Sequence, residues 1–211
     1  DMSTLRSFIG LQYIPSPQTG FENVRQLLPG HYALWKKGEL SIKKYYHPKP
    51  YTGDLSPDAL KELLAISVKE RQLASDVPVG AFLSGGIDSA TVVALASQKR
   101  KMHTFTMGFE EHSFDERKEA QALAKRYNTI HHEYEATSKD LMHIADEVIG
   151  HYDAPYADSS ALPVWLLSAH TKQEVKVVLT GDGSDELFGG YRRYMFFKQA
   201  ILISKLPTQR L

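Results

Sequence analysis

The 211-residue chain contains no cysteine. Within these residues a disulfide framework, a zinc–thiolate centre and a cysteine nucleophile are therefore excluded. An excess of one charge is missing as well: 25 Lys and Arg balance 25 Asp and Glu, for a formal net charge of zero. Such a chain lacks the basic footprint of a nucleic-acid binder. No apolar run approaches the ~20 residues that span a bilayer, and the first residues carry no signal-peptide pattern. These absences fit a cytoplasmic protein that engages neither nucleic acid nor membrane. The chain opens at Asp1 rather than Met, as expected of a piece of something longer. What is present is ordinary globular material, 42% hydrophobic and 24% charged, in a chain long enough to bury a core.

The first fifty residues differ in texture from the rest. Ser3 to Tyr13 reads as a short helix, with Leu5, Phe8, Ile9 and Gln12 along one side and Pro15 and Pro17 stopping it. β-Formers on either side of Gly38, His31–Trp35 and Leu40–Tyr46, read as a hairpin. Pro48, Pro50, Gly53 and Pro57 then mark a boundary.

Helices and strands alternate beyond it. Ser56 caps a helix with Pro57 at its first position and Leu60, Leu63, Leu64 and Val68 on the buried stripe. Val79–Leu83 is a buried strand, Ser84–Ser89 a tight loop, and Ala90–Gln98 a small-residue helix. His103–Phe109 is the next strand; Ser113 and Glu116 have capping-box spacing before a helix with Ala120, Leu123, Ala124 and Tyr127. Strand Ile130–Glu135, an amphipathic helix through Leu141, Ile144, Val148 and Ile149, helix Ser160–His170 and strand Val175–Thr180 complete the run. The implied fold class is α/β: a parallel sheet with helices on both faces, preceded by a small helix plus β-hairpin. Ligands of such sheets sit at the carboxyl ends of strands, and both glycine-rich loops fall there.

The first loop is Ser84-Gly-Gly-Ile-Asp-Ser89. Adjacent glycines bring backbone N–H groups close to a ligand, and the helix N-terminus behind them suits phosphate. Ser84 and Ser89 offer hydroxyls. Asp88 repels bare phosphate, so its use is to hold a Mg²⁺ shared with the phosphates; the plainer reading makes Asp88 or Ser89 a helix N-cap. The ending is not the Gly-Lys-Ser/Thr of a Walker A loop. The second loop, Thr180-Gly-Asp-Gly-Ser-Asp-Glu-Leu-Phe-Gly-Gly-Tyr191, is an acid cluster on a flexible strand end, which either binds metal or is merely solvated.

The first loop resembles the pyrophosphate loop of the ATP pyrophosphatases, and the second is similar to the matching segment of glutamine-dependent asparagine synthetases. Val77-Pro-Val-Gly80 and Phe109 fit that family too, and Leu27-Leu-Pro-Gly-His-Tyr32 with Gly38 and Tyr45-Tyr46 resembles the last hairpin of its glutaminase domain. The resemblance implies an adenine nucleotide α-hydrolase-like fold. It implies that residues 1–50 are the tail of a glutaminase domain and 51–211 the N-terminal portion of a synthetase domain.

It further implies that ATP, with Mg²⁺, activates the aspartate side-chain carboxylate as an acyl-adenylate. Ammonia from glutamine would then expel AMP. By position, Ser84, Gly85, Gly86, Asp88 and Ser89 would hold pyrophosphate and its Mg²⁺, with Asp185 as a second metal anchor. Leu83, Met107, Thr180 and Gly181 would surround adenosine. Asp182 stands where some members carry a catalytic glutamate; the alternative is a turn-stabilising Asp. The family's catalytic lysine is expected beyond residue 211, and its glutaminase cysteine is absent here, so the missing glutaminase domain and the C-terminal part of the synthetase domain are expected partners. A homodimer is compatible with the resemblance.

Other features carry less. His131 and His132 are strand neighbours on opposite faces, expected to pack rather than to form a metal pair. His151, Asp153 and Asp158 cluster near Tyr152 and Tyr156, in a segment resembling one near the acyl-substrate pocket. Tyr191, Arg192, Arg193 and Tyr194 meet phosphates, meet the partner domain or form a solvated face. Alternative functions are the same adenylation on another carboxylic acid, as in β-lactam synthetases, or a non-catalytic nucleotide-binding module. Zero net charge disfavours nucleic-acid modification.

Overall fold

The computed structural model describes residues 1–50, 52–53, 56–111, 113, 115–152 and 154–204. Tyr51 at the expected domain boundary, Asp153, and residues 205–211 lie outside the described residues. The elements run α1 (Met2–Leu11), β1 (His31–Lys36), β2 (Glu39–Lys44), α2 (Pro57–Leu73), β3 (Val79–Phe82), α3 (Ile87–Ala96), β4 (His103–Phe109), α4 (Arg117–Arg126), β5 (Ile130–Ala136), α5 (Ser138–His151), α6 (Ala161–Thr171), β6 (Val177–Leu179), α7 (Ser184–Phe188) and α8 (Arg192–Ser204). None of the described helices is long and apolar enough to cross a membrane.

Two compact units divide the chain, Asp1–Ala59 with Ala136–Ser168, and Leu60–Glu135 with Ala169–Leu211. In the first, α1 begins at Met2 because the Asp1 carboxylate accepts the N–H groups of Ser3 and Thr4. It ends earlier than expected, with Gln12 in the left-handed region at φ 64°. Of the expected apolar side, Leu5 and Phe8 are half-buried and Ile9 is exposed; the buried residue is Thr4. The hairpin pairs Lys36 with Glu39, leaving Lys37 (φ 53°) and Gly38 (φ 84°) as the two-residue turn. Two positive φ values give the turn whose twist matches its strands. α5 opens on a capping box that the sequence reading passed over: Asp140 N–H donates to Thr137 Oγ1 at 3.2 Å, and Thr137 N–H donates to Asp140 Oδ2 at 2.9 Å.

The second unit holds the parallel sheet, in strand order β5-β4-β3-β6. Both ladders of β3 are parallel, Ala81 opposite Thr104 in β4 and opposite Leu179 in β6. Along β3, Val79, Ala81 and Leu83 face one way. They pack with Val68 of α2, Val93 and Ala96 of α3 and Ala120 and Ala124 of α4. The small residues of α3 and α4 allow close approach to the sheet. On the opposite face, Gly80 leaves room for its neighbours. A Cβ there would stand 2.9 Å from Phe105 Cε2 and 3.0 Å from Val175 Cγ2.

Two helix starts differ from expectation. α3 begins at Ile87 rather than Ala90, because the Gly85-Gly86 turn completes the reversal and Gly86, extended at φ −74°, is the N-cap; neither Asp88 nor Ser89 is. The Ser113–Glu116 capping box does not form. Glu116 is itself the N-cap of α4 without a side-chain cap bond, and Ser113 Oγ donates to Glu111 Oε1 at 3.1 Å. The last strand is shorter than expected, Val177–Leu179, since Val175 N–H donates to Thr171 O at the end of α6.

Gly80→Ala is expected to destabilise the protein by about 1–3 kcal/mol through overpacking. Urea denaturation checks this; an unchanged midpoint contradicts the close approach.

Candidate functional site

The strand order creates one place where a ligand can lie between connections. From β3 the chain moves to β4 and β5 on one side, then returns to place β6 on the other. Loops leaving β3 and β6 therefore diverge at a topological switch point, where open parallel sheets bind ligands at their carboxyl ends. The loops are Ser84–Gly86, running into the first turn of α3, and Thr180–Gly183, running into α7.

The first loop is built around its two serines. Ser84 N–H donates to Ser89 Oγ at 3.1 Å, the two hydroxyls lie 2.8 Å apart, and Gly86 N–H donates to Ser84 Oγ at 3.2 Å. Ser89 is buried. Its hydroxyl therefore shapes the loop from inside, while Ser84 sits half-buried at the turn. The strand end beneath is pinned: Thr106 Oγ1 donates to Leu83 O, and Leu83 N–H donates to Phe105 O at 2.9 Å. Leu83 is buried, and Met107 is half-buried one residue beyond Thr106.

Gly181 joins the loops. A Cβ on it would stand 3.0 Å from Ser89 N and 3.1 Å from Asp88 Cβ. A side chain at 181 would crowd the first turn of α3 and push the second loop away from it. Asp88 is half-buried at this contact. Asp182 is exposed and closes its own turn, accepting from Thr180 Oγ1 at 2.9 Å and donating its N–H to the same oxygen at 3.4 Å. Asp185 is half-buried in the first turn of α7, where its carbonyl accepts from Gly189 and Gly190 at 2.9 and 3.0 Å. Among the described residues, no hydrogen bond links Asp182 or Asp185 to the first loop. Asp88 and Asp185 are hard carboxylate oxygens, a donor set that fits Mg²⁺.

Sequence reading missed Glu116. Its carboxylate accepts from Gly85 N–H at 3.0 Å, so an anionic oxygen of the chain itself already sits on this loop donor. The Arg117 guanidinium donates to Asp115 (Nε to Oδ1, 2.8 Å) and to Glu135 (Nη1 to Oε2, 2.6 Å). It also overlies Gly108, where any Cβ would strike it. The Asp115 hydrogen bond, then that of Glu135, pushes the Arg117 pKa further above its ordinary value. The spacing of Glu116 to Ser113 points to a cap, and no local signal marks its bond to a glycine 31 residues earlier.

The asparagine synthase family pattern matches residues 59–205. The chain belongs to the asparagine synthase family. Among its relatives is a Methanocaldococcus jannaschii protein provisionally named glutamine-hydrolysing asparagine synthetase 2, 36% identical over 95% of this chain and 40% of that protein. Another is Bacillus subtilis asparagine synthetase [glutamine-hydrolyzing] 1, 31% identical over 92% of this chain and 32% of that protein. The chain thus spans well under half the length of these relatives. Among solved structures it is similar to a glutamine-dependent NAD⁺ synthetase from Acinetobacter baumannii in complex with ADP. That likeness covers 74% of this chain and 32% of that one, at 22% identity and a TM-score of 0.48.

In this asparagine synthase family chain, the remaining expected features stand as follows. In the first unit, a cavity of ≈ 700 Å³ is lined by Phe8, Val148, Tyr152, Tyr156, Asp158 and Leu162 among others. Tyr152 and Tyr156 stack at 4.7 Å, and Ser160 holds the Asp158 carboxyl below its ordinary range. His151 stands edge-on to Tyr152 at 6.1 Å and to Trp165 at 4.8 Å. Beyond α7, the Arg193 guanidinium lies 4.3 Å from the centre of the Tyr191 ring, and Tyr191 Oη donates to Glu186 Oε1 at 2.8 Å.

That last bond holds Glu186 below the usual carboxylate range and pushes Tyr191 up. A depressed carboxyl contributes stability above its ordinary pKa and loses it as pH falls through the lowered folded value. In Tyr191→Phe, the Glu186 carboxyl is expected to titrate at higher pH in an NMR titration. An unmoved titration contradicts the bond.

Proposed function

We propose that this chain is the nucleotide-activating part of a glutamine-dependent amide ligase that converts aspartate to asparagine. The observation that carries the reading is the seating of Gly181 on Asp88 and Ser89 at the switch point between β3 and β6. It supports one cradle built from both motifs. In this reading residues 1–50 are the tail of a glutaminase domain and 51–211 the N-terminal portion of the synthetase domain. The family match from residue 59 supports the second assignment.

The chain's residues divide the work. Gly85 and Gly86 N–H groups and the Ser84 hydroxyl receive pyrophosphate oxygens, Ser89 keeps the loop in shape, and Glu116 gives up the Gly85 N–H to the ligand. Leu83, Met107, Thr180 and Gly181 line the adenosine side; the thioether of Met107 adapts to a flat ring. Asp88 and Asp185 hold Mg²⁺, which neutralises charge on the departing pyrophosphate when bound. Asp182, exposed at the crest of the second loop, faces the activated acyl group.

The substrate carboxylate oxygen attacks the α-phosphorus. The bond to the bridging oxygen breaks and pyrophosphate leaves with its electron pair. Ammonia, from glutamine hydrolysed in the glutaminase domain, then attacks the acyl carbon; AMP departs and the nitrogen sheds a proton. Fixed donors aimed at developing charge carry most of the acceleration in such chemistry.

Asp88→Asn in the complete enzyme is expected to lower Mg-dependent pyrophosphate release by at least ~100-fold while the circular dichroism spectrum stays unchanged. Wild-type turnover removes Asp88 from the site. Aspartate is expected to drive that release in the unaltered enzyme. Release driven by a larger acid and not by aspartate instead assigns the same chemistry to another substrate.

A further inference from the structure

At the amino end of the same sheet, away from both loops, two histidines and a glutamate converge. His103 opens β4, His132 is the third residue of β5, and Glu174 lies in the connection from α6 to β6. His103 Nδ1 is 3.0 Å from His132 Nε2 and 4.0 Å from Glu174 Oε2. One ligand atom from each residue falls within 4.8 Å of the others. The sequence reading set His131 and His132 aside because strand neighbours face opposite ways. They do: His131 turns to the α3–α4 face, its Nδ1 2.9 Å from Thr104 Oγ1. It is the cross-strand partner of His132, 29 residues earlier in the chain, that completes a pair.

We propose that His103, His132 and Glu174 form a binding site for a borderline divalent transition metal of the Zn²⁺ class, separate from the nucleotide site. Three observations carry this. The imidazoles are held in place: His132 stacks on buried Phe105 at 4.9 Å and 15°, and on His103 at 5.2 Å and 12°. The ring nitrogens already stand near the spacing of two ligands on one tetrahedral ion, about 3.3 Å for metal–nitrogen bonds of about 2.0 Å. The third side chain is within reach: Glu174 Oε2 lies 4.0 Å from His103 Nδ1, and its side chain is 42% exposed.

Two nitrogens and one carboxylate select Zn²⁺, Co²⁺ or Ni²⁺ over Mg²⁺, which demands oxygen. Water takes the fourth position. Bound there, the ion ties β4 and β5 to the segment entering β6, across the glycine step of β3 at Gly80. Because the ion binds the folded chain, it raises thermal stability.

The test is a Co²⁺ and Zn²⁺ titration of the full chain in excess Mg²⁺, read by Co²⁺ visible absorption and by calorimetry. One equivalent is expected to bind, with tetrahedral Co²⁺ bands and a higher Tm. His103→Gln and His132→Gln are expected to lose the bands. Glu174→Gln, an exposed change that leaves packing intact, is expected to weaken binding at least ~10-fold. Displacement by Mg²⁺, absence of binding by the unaltered chain, or binding by His103→Gln, His132→Gln or Glu174→Gln as tight as that of the unaltered chain overturns the proposal.

Discussion

The close approach of Gly181 to the first turn of α3 is the contact on which the candidate site depends. It requires β6 beside β3, a strand end pinned by Thr106 and Phe105, and a second-loop residue with no side chain. Each condition comes from a different part of the chain. Strand order supplies the neighbourhood, hydrogen bonds fix the height of the loop, and the glycine sets the separation. The first loop brings backbone donors and Asp88, and the second adds Asp182 and Asp185 beside it.

Preorganisation extends beneath the surface. The two serine hydroxyls bond to each other and to the loop backbone, so the turn is held without a ligand. Glu116 sits on the Gly85 N–H, and the next residue, Arg117, bridges Asp115 and Glu135. The Glu116 carboxylate occupies a loop donor that water would otherwise take. The acidic residues of the second loop follow another logic. Asp182 stabilises its own turn, whereas the Asp185 side chain lies against Gly190, which has no room for a Cβ.

Much of this architecture was legible in the residues. Alternating buried strands and helices gave the parallel sheet, Gly38 the hairpin turn, and Ser56-Pro57 the start of α2, where Ala59 N–H donates to Ser56 Oγ at 3.3 Å. The two loops were visible because both fall at the carboxyl ends of strands and both resemble segments of one family. What was not legible depended on pairing across the fold. Ser113 and Glu116 have the spacing of a cap, yet Glu116 is claimed by a glycine 31 residues earlier. Thr137 and Asp140 form the capping box that was not anticipated. His132 reads as a lone strand histidine until β4 brings His103 beside it. Local periodicity carries no information about such partners; strand order does.

The central claim is that both loops form one nucleotide cradle. Calorimetric titration of the chain with Mg-ATP, in parallel with Mg-GTP and with pyrophosphate as competitor, tests it most directly. The account predicts ATP binding that exceeds GTP binding, is displaced by pyrophosphate, and is lost in Gly181→Val with the fold intact. ATP binding that survives Gly181→Val unchanged, or that pyrophosphate cannot displace, would contradict it.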